Sequence, residues 1–356
     1  MNTLQIKQTF FFALSVVIAL SSCKKTTLDN PETIDPELAE KIELEFSVKN
    51  LRDDENNIDK EGYNDYNFLG YGYDITGKCA DATSVREPVI NTPDFVKDHT
   101  GRFVVARLLS STFTPIYATD AEQFTKNLTH VFLRQHEPHS YSYFKGNIVH
   151  AFPETEVTSG NYLYGLYELE MKYRRLSLNA YDRLLTPYVT ESFKYDCQSL
   201  SAHELIEKYG THALISLEIG AKLSINYQAQ YKKESRRQAV ENSFRIGLKE
   251  CFGLFSGFLD PVDSTALKGV TNPKIAFEVV GGDPSKIKIE EKAGKNLFVT
   301  IDEWRESVTE ENARFAYLDG LENLLPISDL IEDVKKKQEV EEYIHKYIRT
   351  NEVKLN

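Results

Sequence analysis

The stretch from Ser201 to Tyr231, SAHELIEKYGTHALISLEIGAKLSINYQAQY, constrains the fold more than any other part of the sequence. Its first residue and Glu204 form a capping-box pattern, in which a hydroxyl and a carboxylate satisfy the free backbone amides of a first helical turn. Gly210 ends that helix, because glycine adopts the left-handed conformation that closes helices without a steric clash. We therefore expect a short helix, a glycine stop and then an extended segment.

A long strand is predicted from Thr211 and His212 onward. From Leu223, side chains alternate with a period of two, which is typical of a strand with one buried and one solvent-exposed face. The apolar positions are Leu223, Ile225, Tyr227, Ala229 and Tyr231, and the polar positions are Lys222, Ser224, Asn226, Gln228 and Gln230. Gly220 lies inside this strand and predicts a bend or a close backbone approach.

The residues Tyr209-Gly210-Thr211-His212, followed by Gly220, resemble the signature of membrane attack complex/perforin (MACPF) domains. That signature has an aromatic residue, glycine, threonine or serine, histidine, a second aromatic residue, six further residues and two glycines. This chain departs from it at Ala213, in place of the second aromatic residue, and at Ala221, in place of the second glycine. A helix–strand junction in an unrelated α/β domain is the alternative interpretation of this stretch alone.

Further segments extend the resemblance from about residue 65 to about residue 335. Three glycines among tyrosines predict a strand with tight backbone approaches and resemble the opening of many MACPF domains: Gly70, Tyr71, Gly72, Tyr73 and Gly77. Residues 273–282, PKIAFEVVGG, predict a strand that ends in Gly281 and Gly282. Trp304 and the Leu324-Leu325-Pro326-Ile327 segment also occupy places typical of the family.

The resemblance implies an α+β fold, in which a bent, twisted, antiparallel four-stranded sheet is flanked by two helical clusters. It also implies that the corner from Tyr209 to His212 is a packing and hinge element. Gly220, Gly281 and Gly282 would lie where the sheet bends and straightens. In pore-forming members many subunits form a ring, and each cluster unfolds into a β-hairpin of one closed barrel, since every backbone group in lipid needs a partner.

Residues 232–272 contain SFRIGLKECFGLFSGFLD, a segment that fits two structures. As a helix, it has one apolar face: Phe244, Leu248, Cys251, Phe255 and Phe258. As a strand, it has six apolar side chains on one face, which are the candidates for membrane insertion: Phe244, Ile246, Leu248, Phe252, Leu254 and Phe258. A membrane β-strand needs about 9–11 residues with apolar side chains facing lipid. A helix or loop packed on the core is the alternative, but the position after the signature strand favours insertion.

The N-terminus predicts a lipoprotein. Lys7 precedes an apolar run, Phe10–Leu20, that is too short to span a bilayer as a helix, as in a signal peptide. Leu20-Ser21-Ser22-Cys23 resembles a bacterial lipobox, which implies that Cys23 carries the lipid; an ordinary signal peptide is the alternative. We therefore expect a signal peptide at 1–22, a tether at 23–36, the MACPF domain at 37–340, and a C-terminal helix and tail at 341–356.

Composition and motifs disfavour several other functions. The net charge of −12 disfavours nucleic-acid binding and non-specific attraction to anionic membranes. Hydrolase motifs such as Gly-x-Ser-x-Gly are missing from the sequence, so we expect neither an enzyme nor a cofactor. The neighbouring histidines His130, His136, His139 and His150 lack convincing partners for a metal site. Beyond Cys23, the cysteines are Cys79, Cys197 and Cys251, and an oxidising envelope would allow a Cys79–Cys197 disulfide.

These observations favour a secreted or surface-anchored pore-forming antibacterial toxin. It would oligomerise into a ring and insert β-hairpins into a target outer membrane. Its acidic charge implies an unidentified surface receptor on that membrane. We expect the protein in the outer membrane through its lipid anchor, or secreted. The alternative is a non-lytic MACPF surface lipoprotein for adhesion or host interaction, which the poor alternation of residues 120–160 favours.

Overall fold

The structure is a computed structural model that describes residues 44–51, 65–133, 141–257, 264–291 and 296–356. Cys23, the expected signal peptide and tether, and Phe258 lie outside the described residues. The strands are β1 Ser47–Asn50, β2 Tyr71–Tyr73, β3 Val85–Pro88, β4 Phe103–Ala118, β5 Tyr162–Leu178, β6 His212–Leu214, β7 Ser216–Gln230, β8 Thr271–Val280, β9 Lys288–Glu291, β10 Leu297–Thr300, β11 Arg314–Tyr317 and β12 Leu324–Pro326. The helices are α1 Thr92–Asp98, α2 Ala121–Val131, α3 Gly146–Ala151, α4 Asp182–Leu185, α5 Glu191–Ser199, α6 Ala202–Tyr209, α7 Arg236–Phe252, α8 Ser264–Leu267, α9 Asp302–Glu306 and α10 Val334–Asn351.

The central sheet has the strand order β1-β8-β7-β5-β4, and β11 pairs with β7 as well. Its core consists of the four long antiparallel strands β4, β5, β7 and β8, as the resemblance implied. Two short strands extend this core. β1 pairs in parallel with β8 at one edge, and β11 pairs with β7 beside Gly220. The chain thus has the expected α+β fold, with six rather than four strands in its main sheet.

The extended segment after Gly210 forms two strands instead of one. β6 joins a second sheet, of order β12-β6-β2-β3, whereas β7 enters the central sheet after a break at Ile215. The backbone therefore passes from one sheet to the other immediately after the signature residues. This places the predicted corner between the two sheets.

Two groups of helices lie between the long strands in sequence. The first, within residues 119–161, contains α2 and α3, and α2 begins after its Asp120 cap, whose side chain accepts a hydrogen bond from the amide of Gln123 at 2.8 Å. The second, within residues 231–270, contains α7 and α8. α7 packs on the apolar face of β5, β7 and β8, where Leu223 and Tyr227 are buried.

The expectation of a solvent-exposed face on β7 is wrong. Ser224, Asn226 and Gln228 are all buried. Residues 74–84 and the region of α3 cover this face and supply polar partners: Thr155, for example, donates to Gln228 at 3.1 Å. A polar face can be buried at little cost when its groups keep hydrogen-bond partners, and here those partners come from distant parts of the sequence.

Two further expectations concern the C-terminus and the cysteines. α10 continues without a break across residue 340, the expected end of the domain, and packs against α6. Cys79 and Cys197 are free thiols, so the disulfide between them is not formed. Cys79 is fully buried and Cys197 is partly exposed, so the two lie in different environments.

Candidate functional site

The corner between the two sheets starts with α6, which has the capping box predicted from the sequence. The hydroxyl of Ser201 accepts from the amide of Glu204 at 3.3 Å, and the carboxylate of Glu204 accepts from the amide of Ser201 at 2.8 Å. At the other end, Gly210 has a φ of 71° and closes the helix. The local sequence therefore fixes both ends of the helix that leads into the corner.

Hydrogen bonds hold the corner against the strand β2. The hydroxyl of Thr211 accepts from the amide of Ile75 and donates to the carbonyl of Tyr73, both at 3.2 Å. Nδ1 of His212 lies 2.8 Å from the same hydroxyl, and burial lowers the pKa of His212 to about 4. His212 is therefore neutral at physiological pH, and its ring helps to orient a threonine whose polar groups are all satisfied.

The corner also depends on a close approach of two backbones. A Cβ added to Gly72 would lie only 1.8 Å from the carbonyl oxygen of Tyr209. The hydroxyl of Tyr209 donates to the carboxylate of Asp196 at 2.6 Å, and its ring packs edge-on against Phe193. The tight approach predicted from the glycines near residue 72 is therefore present, and it is made to the signature tyrosine.

The three other predicted hinge residues lie together at one end of β7. A Cβ on Gly220 would lie 2.0 Å from the carbonyl oxygen of Met171, and a Cβ on Gly281 would lie 2.6 Å from the carbonyl oxygen of Gly220. Gly281 and Gly282 both have a φ of 69°, which favours glycine. Trp304 covers this cluster, and its indole Nε1 donates to the carbonyl of Gly281 at 3.0 Å.

The glycine cluster continues a line of irregular pairing that crosses the sheet. The register shifts between Arg107 and Ser110 on β4, and between Lys172 and Arg174 on β5, next to Gly220. Along the edge of β7 opposite β5, β8 ends at Val280, which pairs with Lys222. Beyond that point β11 pairs with β7, with Arg314 opposite Gly220. Bulges bend strands and increase their twist. The line is therefore where we expect this sheet to bend.

The second functional element is the segment proposed for membrane insertion. It is helical as far as Phe252, where α7 ends, and Gly253 caps the helix with a φ of 64°. The ring of Phe244 stacks on Tyr227 at 5.0 Å between centroids and fills the space beside Gly165, where a Cβ would lie 2.4 Å from the ring. The segment is thus bound to the sheet by apolar contacts.

The five candidate residues that the structure describes, all but Phe258, differ in burial. Phe244, Leu248 and Phe252 are buried, whereas Ile246 and Leu254 are partly buried. The three buried residues are four positions apart, a spacing that places them on one face of a helix and, being even, also on one face of a strand. Phe255 was expected on the helical apolar face but is 54% exposed, because the helix has already ended.

A third element, a buried layer of charged groups on the opposite face of the sheet, was missed from the sequence. Nζ of Lys222 lies 3.3 Å from the carbonyl oxygens of Cys79 and Ala80 and 3.5 Å from the carboxylate of Glu168. Burial alone would lower the pKa of Lys222, but Glu168 and its neighbours outweigh burial and raise it. The one available signal was the run of short uncharged side chains on β7, which is unusual for a strand exposed to water.

The same layer contains a second cluster of charged side chains, at the edge of the segment formed by residues 74–84. Nζ of Lys78 pairs with the carboxylates of Asp81 and Glu278, both at 2.7 Å. Nε2 of His150, on α3, lies 3.3 Å from the same carboxylate of Glu278. These contacts connect the segment, the first helical group and the sheet.

A metal site or a membrane helix has no support among the residues that the structure describes. Within them, no group of three histidine, cysteine or acidic side chains is arranged to bind a metal ion. His136 and His139, two of the four neighbouring histidines, lie outside those residues. The described helices likewise include none that is both long and apolar enough to cross a membrane.

Comparisons with known proteins agree with this architecture. The family model of the MAC/Perforin domain matches residues 121–355, and the chain belongs to this family. A comparison with curated protein sequences gives no significant match.

Two solved structures share the fold. The first is a MAC/Perforin-domain protein of Bacteroides thetaiotaomicron, provisionally named a cell invasion protein, with a TM-score of 0.63 and 16% identity over 81% of this chain. The second is GNIP1Aa of Chromobacterium piscinae, with a TM-score of 0.59 and 17% identity over 82% of this chain. The chain spans 61% and 57% of the lengths of these two proteins.

Proposed function

We propose that this protein is a pore-forming antibacterial toxin that oligomerises and inserts β-hairpins into a target outer membrane. The observation that carries the proposal is α7, which packs on the central sheet of a MAC/Perforin fold with residues that suit two structures. Phe244, Leu248 and Phe252 form the buried face of the helix, and with Ile246 and Leu254 they form one face of an extended strand. Such a strand has an apolar side of the kind that a membrane barrel requires, although Glu250 interrupts it between Leu248 and Phe252.

The edges of the central sheet support assembly into a ring. β4 is an edge strand of sixteen residues, and apolar side chains along it are exposed, including Leu109 at 59% and Phe113 at 44%. Long edge strands readily pair with strands of another molecule. The opposite edge, β8, is covered by the four-residue parallel strand β1. In our proposal β1 leaves, and β8 of one subunit pairs with β4 of the next.

The predicted lipid anchor and the net charge suggest where the protein is held and how it reaches its target. We infer that the lipid on Cys23 holds the protein in the outer membrane of the producing cell until it is released or contacts a neighbour. With a net charge of −12, lipid surface charge alone would repel the protein from anionic membranes. We therefore propose that a surface receptor on the target cell recruits it.

A disulfide between α7 and the sheet tests the proposal. A Cβ at Gly165 would lie 2.4 Å from Cδ1 of Phe244. Cysteine Cβ atoms at these two positions would therefore lie within about 5 Å, close to the separation of about 3.5–4.5 Å in disulfides. The variant is Gly165→Cys with Phe244→Cys, in a background in which Cys79, Cys197 and Cys251 are replaced by alanine or serine.

We expect the oxidised variant neither to kill sibling strains nor to release dye from vesicles made of target outer-membrane lipids. The reduced form of the same variant is the matched control, because only the disulfide differs, and it should recover both activities. Equal leakage from the oxidised and reduced forms would show that α7 does not leave the sheet. If the wild-type protein neither kills nor causes leakage, the toxin proposal fails.

The alternative function is that of a non-lytic surface lipoprotein for adhesion or host interaction. The observation in its favour is that residues 120–160 alternate poorly, so a second membrane hairpin is less well supported by the sequence. The same disulfide separates the two functions. Adhesion of cells that display the oxidised variant should be unchanged, whereas a pore-forming activity should be lost.

A further inference from the structure

The buried charged layer contains one carboxylate with weaker partners than the rest. Glu170, on β5, is 3% exposed, and its Oε1 has no hydrogen-bond partner among the described residues. Within the same part of the chain, its Oε2 receives only long contacts, from the hydroxyl of Thr112 at 3.4 Å and from Nζ of Lys172 at 3.3 Å. A buried carboxylate in such surroundings is costly to keep ionised.

Both lysines near Glu170 have other partners. Lys172 lies closer to Glu218, at 3.0 Å, and its ammonium also lies 3.3 Å from the centre of the Tyr317 ring. Lys222 is directly opposite Glu170 in the pairing of β5 with β7, but its ammonium contacts the carbonyls of Cys79 and Ala80 instead. Glu168, on the same face of β5, adds a second negative charge.

We propose that Glu170 is protonated in the resting fold and that the charged layer is a proton-linked latch. While Glu170 is neutral, Lys222 stays on the two carbonyls and holds residues 74–84 against the sheet. When Glu170 loses its proton to solvent, the new carboxylate competes for the ammonium of Lys222, which then releases those carbonyls. The groups that face Glu170 are Glu168 and Lys172 on β5, Lys222 on β7, Cys79 on the covering segment and Tyr317 on β11.

The latch reaches the first helical group through direct hydrogen bonds. The amide of Cys79 donates to the side chain of Asn147 at 2.8 Å, and the amide of Gly146 donates to the carbonyl of Thr76 at 3.0 Å. Residues 74–84 and α3 are therefore expected to loosen together. Any effect of the latch on the release of a membrane hairpin rests on the proposed function, whereas the latch itself is a property of the folded protein before any membrane insertion.

The direction of the pH effect follows from the environment of Glu170. Burial, together with the charge of Glu168, raises the pKa of Glu170 from its ordinary 4.5 to about 7. In the closed form, Lys222 stays on the two carbonyls and Glu170 has the raised pKa; in the open form, Lys222 has released them. Low pH therefore favours the closed form over the open form, and this preference is lost as the pH rises through about 7. Opening releases one proton, so the open population should rise up to about tenfold per pH unit, and up to about thirtyfold between pH 5.5 and pH 8.

Hydrogen–deuterium exchange of the intact mature protein tests the latch. We would compare peptides that cover residues 74–84 and 146–157 at pH 5.5 and pH 8, after correction for intrinsic exchange rates. The variants are Glu170→Gln and, as a matched control, Glu290→Gln, which removes an exposed carboxylate on β9. We expect both segments to open more at pH 8 in the wild type and in the control, and Glu170→Gln to abolish that dependence.

Two results would overturn the proposal. One is the same pH dependence of exchange in Glu170→Gln and the wild type, and the other is greater opening at acidic pH. If Glu170→Gln does not fold, the carboxylates of the wild-type protein are titrated by isotope-edited infrared spectroscopy instead. A pKa below about 5.5 for every buried carboxylate would exclude the latch. Vesicle leakage at the same pH values is measured separately, so that the exchange data test the latch even if the protein has no pore activity.

Discussion

The substitution Gly220→Ala tests whether the close approach at the bend of the sheet is essential. An added Cβ would lie 2.0 Å from the carbonyl oxygen of Met171, whereas ordinary contacts begin at 3.4 Å. The clash is with backbone, so no side-chain rotation relieves it. β7 and β5 would have to separate locally by about 1.4 Å, which would lengthen a normal backbone hydrogen bond beyond its useful range.

The expected cost follows from the bonds around this residue. Gly220 pairs with Lys172 on β5 and with Arg314 on β11, so a shift disturbs both neighbours. Losing about two buried backbone hydrogen bonds costs about 2–6 kcal/mol, and we expect about 3 kcal/mol. In a chain of this length each kcal/mol shifts the melting temperature by about 1.4 °C, so the melting temperature should fall by about 4 °C.

Thermal and urea unfolding of the mature protein measure this effect. Gly160→Ala is the control, because a Cβ at Gly160 has no neighbour within 4 Å among the residues that the structure describes. The control should stay within about 0.5 kcal/mol of the wild type. If Gly220→Ala were as stable as Gly160→Ala, the backbone contact at the bend would not be a constraint on this fold.

Three further predictions concern the corner, the helix on the sheet and the charged layer. Thr211→Val should lower the free energy of unfolding by about 1–3 kcal/mol, because it leaves the amide of Ile75 without its hydrogen-bond acceptor, whereas Thr211→Ser should keep most of the wild-type stability in the same urea titration. Phe252→Ala should cost about 3–5 kcal/mol, and Phe255→Ala, at an exposed position beyond the end of the helix, should stay within about 0.5 kcal/mol; equal effects would contradict the boundary of α7. Although burial alone would raise the pKa of Asp81, the ion pair with Lys78 lowers it to about 2. Asp81 therefore contributes stability above about pH 4 that is lost as the pH falls through 2, and Asp81→Asn should weaken the pH dependence of the urea midpoint in this range.

Local interactions explain which elements could be predicted. The helix α6 was predicted with both ends, because its capping box and Gly210 act within a few residues of each other. The Asp120 cap of α2 is local in the same way, because its hydrogen bond to the amide of Gln123 spans only three residues. The extended nature of β7 followed from its alternation, which depends only on the backbone. Such features need no knowledge of the rest of the chain.

Burial of the second face of β7 could not be predicted in this way. Alternation shows that two faces differ, but it does not show what lies against each of them. Lys222 is 143 residues from its partner Cys79, so its hydrogen bond forms only when the chain has folded. Whether Cys79 and Cys197 pair was left open by the sequence for a similar reason, since pairing depends on distances that spacing does not determine, and both are free thiols in the structure.

The sequence by itself determined the short helix, the glycine stop, the strand periods and the resemblance to one family, because each depends on local sterics and hydrogen bonds. The choice of structure for residues 236–252 was made only by the tertiary structure. Apolar residues four positions apart suit a helix and a strand equally, so the sequence leaves both open. The helix is formed here because the sheet offers its face an apolar surface, with Gly165 leaving room for the ring of Phe244.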